Sequence, residues 1–158
     1  TGEAADVGRR LASRLLDYDA IISAGAQAGR VNKDTLLIWG GETTVSLTPD
    51  AGLGGRSQEL ALAAAELFEA AAMHPDRSEA GKAILLAAGT DGRDGPTDAA
   101  GGFADAETWA AIRRGGRDPA ADLQTHHSYD ALAAGGALFK TGMTGTNVMD
   151  MVLGLQKR

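Results

Sequence analysis

"AILLAAGTDGRDGPTDAAGGF", residues 83–103, is the stretch on which the fold turns. Its opening, "AILLAAG", is short and wholly apolar, the pattern of a strand covered on both faces in an α/β sheet. The loop that follows gathers Thr90, Asp91, Asp94, Thr97 and Asp98 among four glycines and Pro96, a composition hostile to helix or strand. In open α/β sheets ligands collect beyond the carboxyl ends of strands, so this loop is a candidate site wall.

Working outward, "TLLIWGGETTVSL" (35–47) reads as a strand broken at Gly40 and Gly41 and resuming at Thr43 to Leu47. "QELALAAAELFEAAAM" (58–73) reads as a helix with Leu60, Ala64, Leu67 and Phe68 on one face. "EAADVGRRLASRLLDYDAII" (3–22) spaces Val7, Leu11, Leu15 and Tyr18 for an amphipathic helix. Its apolar face must pack on this domain or on a neighbouring one, and "GAQAGRVNKD" (25–34) reads as a linker. Downstream, "DAETWAAIRRGG" is a helix capped by Asp105 and stopped at Gly115. "DPAADL" has Asp118 as cap and Pro119 in the first turn, and "SYDALAAGGALF" starts at Ser128 and ends at Gly135 and Gly136. "ALFKTG" and "VMDMVLGLQ" close the chain as strands around "GMTGTN". The alternation predicts an α/β class: a layered domain, three layers or nearly so, with a mixed β-sheet flanked by helices. Residues 1–34 are expected to be an N-terminal connecting helix and linker forming an interdomain connection, and 35–158 the domain proper.

The 158 residues suffice for one sizeable core. There is no cysteine, which rules out disulfides and thiolate metal sites and suits a reducing cytoplasm. The net charge of −6, with scattered arginines, lacks the basic stripe of a nucleic-acid binder. No apolar stretch approaches the ~20 residues that cross a bilayer, so no membrane role is expected.

Four Gly- or Thr-rich loops stand at element ends: "GGETT", "GLGGRSQE", the Asp-rich loop and "TGMTGTN". In "GLGGRSQE", Gly54 and Gly55 permit close backbone approach, the helix start offers free amides, and Arg56 adds a planar fork. This reads as an anion site, or else as a plain loop with Ser57 as N-cap. The glycine order only loosely fits a dinucleotide fingerprint, and no Walker-type loop occurs. Asp91, Asp94 and Asp98 offer hard oxygens for Mg²⁺ or Ca²⁺ or for substrate hydroxyls, or they and the neighbouring threonines bond their own backbone in tight turns. "TGMTGTN" either wraps a phosphate through its amides or forms a tight turn in which Thr146 and Asn147 bond their own chain. Glu42 lies at a strand kink, aimed into a site or at the sheet edge. His126 and His127 read as ordinary helix-start residues, and Trp39 and Trp109 as core aromatics. No nucleophile elbow is present.

Taken together, "GGETTV", "GGRSQELALAAA", "LLAAGTDGRDGPTDAAGG", "SYDAL" and "TGMTGTNVMD" resemble the C-terminal, MOFRL-type domain of the glycerate kinases, a family whose members also carry the label hydroxypyruvate reductase. The resemblance runs from about Leu36 to the end of the chain. It implies transfer of the γ-phosphoryl group of ATP to D-glycerate, giving 2-phosphoglycerate, with Mg²⁺ assisting, in a cleft shared with an N-terminal Rossmann-like domain. It implies that Arg56 is the catalytic arginine. Glu42, Gly54, Gly55, Gln58, Thr90, Thr97, Thr144, Gly145, Thr146 and Asn147 become substrate- or phosphate-binding candidates, and Asp91, Asp94 and Asp98 metal candidates. Ser57 stands where the family usually has Asn, and Met143 where it has Pro. Two other readings remain: a non-catalytic ligand-binding or regulatory module, and an NAD(P)H-dependent hydroxypyruvate reductase.

Overall fold

A computed structural model describes residues 1–17, 34–74 and 82–157. The elements are α1 (Ala4–Leu16), β1 (Thr35–Gly41), α2 (Arg56–Ala72), β2 (Ala83–Gly89), β3 (Gly101–Ala104), α3 (Thr108–Arg114), α4 (Pro119–Gln124), α5 (Ser128–Ala134), β4 (Leu138–Phe139) and β5 (Asp150–Gln156). The continuation of α1 to Ile22 and nearly all of the expected linker lie outside the described residues.

The α/β class holds, with one correction: every strand pairing is antiparallel rather than mixed. The sheet order is β1-β5-β2-β3-β4. β1 and β2 run in the same direction, joined through α2 as the alternating pattern suggests. The last strand, β5, slots between them and runs against both. "GGFA", placed in the loop from sequence, is strand β3. Its glycines admit neighbours, since a Cβ on Gly101 would overlap the Ala87 backbone and one on Gly102 the Leu132 side chain. Conversely, residues 43–47 do not resume a strand. β1 loses its partner where the β5 ladder ends at Gly41–Asp150. Only a single parallel bridge, Glu3–Thr44, follows.

α2 is buried nearly all round, which its alanines allow because small side chains let neighbours close in from several sides. β2 and β3 flank it on one side and α1 on another, with α3 and α5 completing the enclosure. The core joins Leu11 and Leu15 of α1, Leu60, Leu62 and Phe68 of α2, Leu85, Ile112 and Leu132. Of the two alternatives for α1, the structure shows the first: it packs on this domain. Trp109 is core, its indole N–H donating to the Leu62 carbonyl at 2.9 Å. Trp39 packs at the core edge.

The sheet face carrying Leu37, Trp39, Leu85 and Val152 meets this core. The other face carries Leu36, Ile38, Phe103 and Met151 and is partly exposed, so the three-layer expectation gives way to two layers among the described residues. No described helix is long and apolar enough to cross a membrane.

Candidate active site

The candidate residues gather at one end of the sheet. Register places Asp150, first residue of β5, between Gly41 of β1 and Gly89 of β2. The Arg56 guanidinium meets the Asp150 carboxylate at this strand end. Arg56 Nε lies 2.7 Å from Asp150 Oδ2. Its Nη2 donates to Asp150 Oδ1 at 3.0 Å. Nη1 donates to Glu42 Oε1 at 2.7 Å. The bidentate grip of Asp150, then its charge and that of Glu42, raises the Arg56 pKa against the opposing effect of burial. A guanidinium held from two sides is a fixed positive charge, and its side chain keeps 36 % exposure.

The start of α2 is not the open anion site its sequence suggested. Asp94, only 3 % exposed, reaches in from the Asp-rich loop. Its Oδ1 accepts from the Ser57 amide at 3.0 Å and its Oδ2 from the Gln58 amide at 2.8 Å. The carboxylate therefore caps α2 from 36 residues away, doing what N-cap Gly55 has no side chain to do. Burial pushes the Asp94 pKa up, while these amides pull it down. Gln58, fully buried, donates through Nε2 to Asp94 Oδ2 and to Thr97 Oγ1. Thr97 in turn donates to the Asp94 carbonyl at 2.8 Å.

Gln58 and Thr97 thus brace the interior, and the Asp94 carboxylate caps α2. The glycines have the same explanation. A Cβ on Gly55 would strike the Asp94 carboxylate, and one on Gly54 the Ser128 hydroxyl. They make room for the protein's own atoms.

Asp98 is held by two neighbours. It accepts from Tyr129 Oη at 2.8 Å and from Lys140 Nζ at 2.9 Å, and Lys140 first, then Tyr129, lowers its pKa. Among the described residues no group of three or more acidic or histidine side chains is placed to hold a metal. Asp91 and Asp94 both border the cavity; the Asp94 carboxylate is taken up by the start of α2, while Asp91 Oδ1 accepts the Arg93 amide at 3.0 Å.

The Asp-rich loop and residues 141–149 are knitted together. The Thr144 hydroxyl donates to the Thr90 carbonyl at 2.6 Å, and that of Thr90 to the Met149 carbonyl at 2.7 Å. The Val148 amide donates to Thr90 Oγ1 at 2.8 Å. Asn147 Oδ1 accepts the Met149 amide at 3.0 Å, so Thr90, Thr144 and Asn147 shape the loops. Gly145, at φ +75°, and Thr146 remain on the exposed crest.

Between the Asp-rich loop and the segment 43–55 lies a cavity of about 610 Å³, bordered by Arg56, Glu59, Asp91, Arg93, Asp94 and His126. Three of its groups were not singled out from sequence as ligand contacts. Arg93 forms no ion pair among the described residues; a basic residue inside "DGRDG" was its only signal. Glu59 and His126 meet at 2.8 Å, although they stand 67 positions apart. Asp150, which fixes Arg56, was hidden as the single acid of an apolar strand.

The arrangement is that of an α/β domain presenting a braced arginine, a second arginine and one open carboxylate around a cavity at a strand end. The MOFRL family model matches residues 35–150, and the chain belongs to that family. It is 47% identical over 125 residues to the D-glycerate 2-kinase of Thermotoga maritima, covering 79% of this chain and 28% of that protein. To the glycerate 2-kinase of Pyrococcus horikoshii it is 39% identical over 155 residues, 98% of this chain and 31% of that one. The crystal structure of glycerate kinase from Thermotoga maritima superposes with a TM-score of 0.79 at 41% identity, covering 98% of this chain and 34% of that one. The chain spans about a third of the length of these relatives.

Proposed function

We propose that this chain forms one wall of the active site of an ATP-dependent D-glycerate kinase that yields 2-phosphoglycerate. The observation that carries this reading is the Arg56 guanidinium, held by Asp150 and Glu42 at the edge of the cavity it shares with Asp91 and Arg93. Phosphoryl transfer needs little covalent chemistry from the protein and much positioning and charge stabilisation. A guanidinium locked before substrate arrives supplies both without reorganisation. Arg93 adds an exposed positive charge for a second anionic group. On the exposed crest Gly145 and Thr146 are further phosphate-contact candidates, the Gly145 amide ahead of that of Thr146, which donates to Thr144 Oγ1 at 3.3 Å.

Mg²⁺ fits this wall as a guest of the nucleotide rather than of a protein cage. Asp91 would be its one carboxylate here, in keeping with a cation usually held by one or two carboxylates plus phosphates and water. Bound, the ion would neutralise phosphate charge. The second half of the site, and the nucleotide loop, are assigned to an N-terminal Rossmann-like domain of the same enzyme, and a cytoplasmic location goes with this reading.

The test is a coupled ADP-release assay on the full-length protein with D-glycerate and MgATP. Turnover that collapses in Arg56→Ala supports the proposal, and absence of ADP release by the wild type overturns it. The same preparation separates the competing classes: NADH oxidation with hydroxypyruvate would mark a reductase, and tight glycerate binding without turnover a binding module.

A further inference from the structure

Glu59 follows Arg56 by one helical turn, so both side chains leave the same face of α2 toward the same cavity. Glu59 is 4 % exposed, and burial raises its pKa despite the contact with His126. A carboxylate so placed needs a partner, and its Oε2 lies 2.8 Å from His126 Nδ1. Asp94 and Glu3 are the other acids felt at Glu59.

His126 is delivered by a clamped turn. Its backbone is left-handed, at φ +59°, uncommon for a residue other than glycine. Both flanks are tied down. The Gly52 amide donates to the Thr125 carbonyl at 2.9 Å, the His127 amide to the Asp122 carbonyl at 2.8 Å, and the Tyr129 amide to the Leu53 carbonyl at 3.0 Å. The ring is thereby pinned to the glycine loop that precedes Arg56.

We propose that His126, oriented by Glu59, is a substrate-contacting residue of the cavity and binds a hydroxyl group of the small hydroxy-acid acceptor. A carboxylate facing Nδ1 selects the tautomer protonated there, the second-partner logic by which histidine tautomers are set. Nε2 then carries a lone pair toward the cavity. A lone pair accepts from a hydroxyl and repels carboxylate and phosphate oxygens, which leaves those anions to Arg56 and Arg93. The cavity is divided accordingly, with its arginine side for anions and its His126 side for the hydroxyl.

This inference rests on the kinase reading, and the test separates the two. In the full-length protein, His126→Gly removes the ring while fitting the left-handed backbone, and His126→Asn restores a polar acceptor. The expected result is a rise of about tenfold in KM for D-glycerate in His126→Gly, the worth of one hydrogen bond. KM for ATP should be unchanged, and His126→Asn should recover most of the loss. Long-range ¹⁵N spectra of the wild-type imidazole, which need no variant, should show the proton on Nδ1 and a shift of Nε2 on adding D-glycerate. Three results overturn the proposal while the kinase reading stands: an unchanged glycerate KM in His126→Gly, both KM values rising together, or a proton on Nε2. A wild-type protein that releases no ADP with glycerate overturns both.

Discussion

Replacing Asp94 by Asn takes away one of the two carboxylate oxygens that hold the start of α2. The amide oxygen can accept from Ser57 or Gln58 but not both, and its NH₂ then faces a backbone N–H. The variant should lose about 1–3 kcal/mol at neutral pH, read from urea midpoints. The sign with pH is also fixed. Burial raises the folded pKa of Asp94 and of Glu59. Each therefore contributes stability that is full below the ordinary carboxylate pKa and is lost as pH rises through its folded value. The wild type should gain from these two groups on acidification from neutral toward that range, and Asp94→Asn should show a smaller gain. At Arg56 the expectation concerns activity. Arg56→Lys keeps the charge but not the fork that spans Asp150 and Glu42, and under the proposed kinase reading kcat of the full-length protein should fall about 10²–10³-fold. Arg56 was legible in the sequence because glycines, a guanidinium and a helix start stand adjacent. Its restraints were not, because Asp150 and Glu42 meet it only through strand register and a loop 94 and 14 positions away. The aspartates were legible as a group but not singly: whether an Asp faces a ligand or an amide depends on which helix end lies beneath it.

Between elements, the tightest joint is α1 against α2 at Gly8. A Cβ there would overlap the Leu60 carbonyl of α2, so the missing side chain sets how closely the helices lie. Helix propensity alone predicts that Gly8→Ala stabilises by about 1 kcal/mol. Overpacking costs about 1–3 kcal/mol, so the net effect should be destabilising. Thermal unfolding decides it, and a raised Tm would show that the joint yields. Apolar periodicity revealed α1 and α2 well, since Val7, Leu11 and Leu15 repeat at helical spacing. It said nothing of the strand order. β5 enters the sheet between two earlier strands, and no local feature of "VMDMVLGLQ" records which neighbours it will have. β3 was invisible for a different reason. Its glycines are strand-breaking by propensity and are tolerated because Ala87 and Leu132 press on them.

At the scale of the molecule, the proposed site draws Glu42 from the end of β1, Asp91 and Arg93 from the loop after β2, Asp150 from the start of β5, Arg56 and Glu59 from the first turn of α2, and His126 from the turn between α4 and α5. The cavity of about 610 Å³ is the size that encloses one drug-sized ligand. Phosphoryl transfer aligns two substrates in one water-poor space, and this wall has room for one of them. The purified 158-residue chain is therefore expected to release no measurable ADP from MgATP and D-glycerate, while the full-length protein does so under the same conditions. Its own affinity for glycerate should be weak, because Arg56 and Arg93 are offered to a ligand that only one wall surrounds. Calorimetric titration of the chain with D-glycerate, beside the coupled assay, measures both quantities. Turnover by the chain alone would mean that Asp91, Arg56 and Arg93 suffice to bring both substrates together, and the division of the active site between two walls would have to be abandoned.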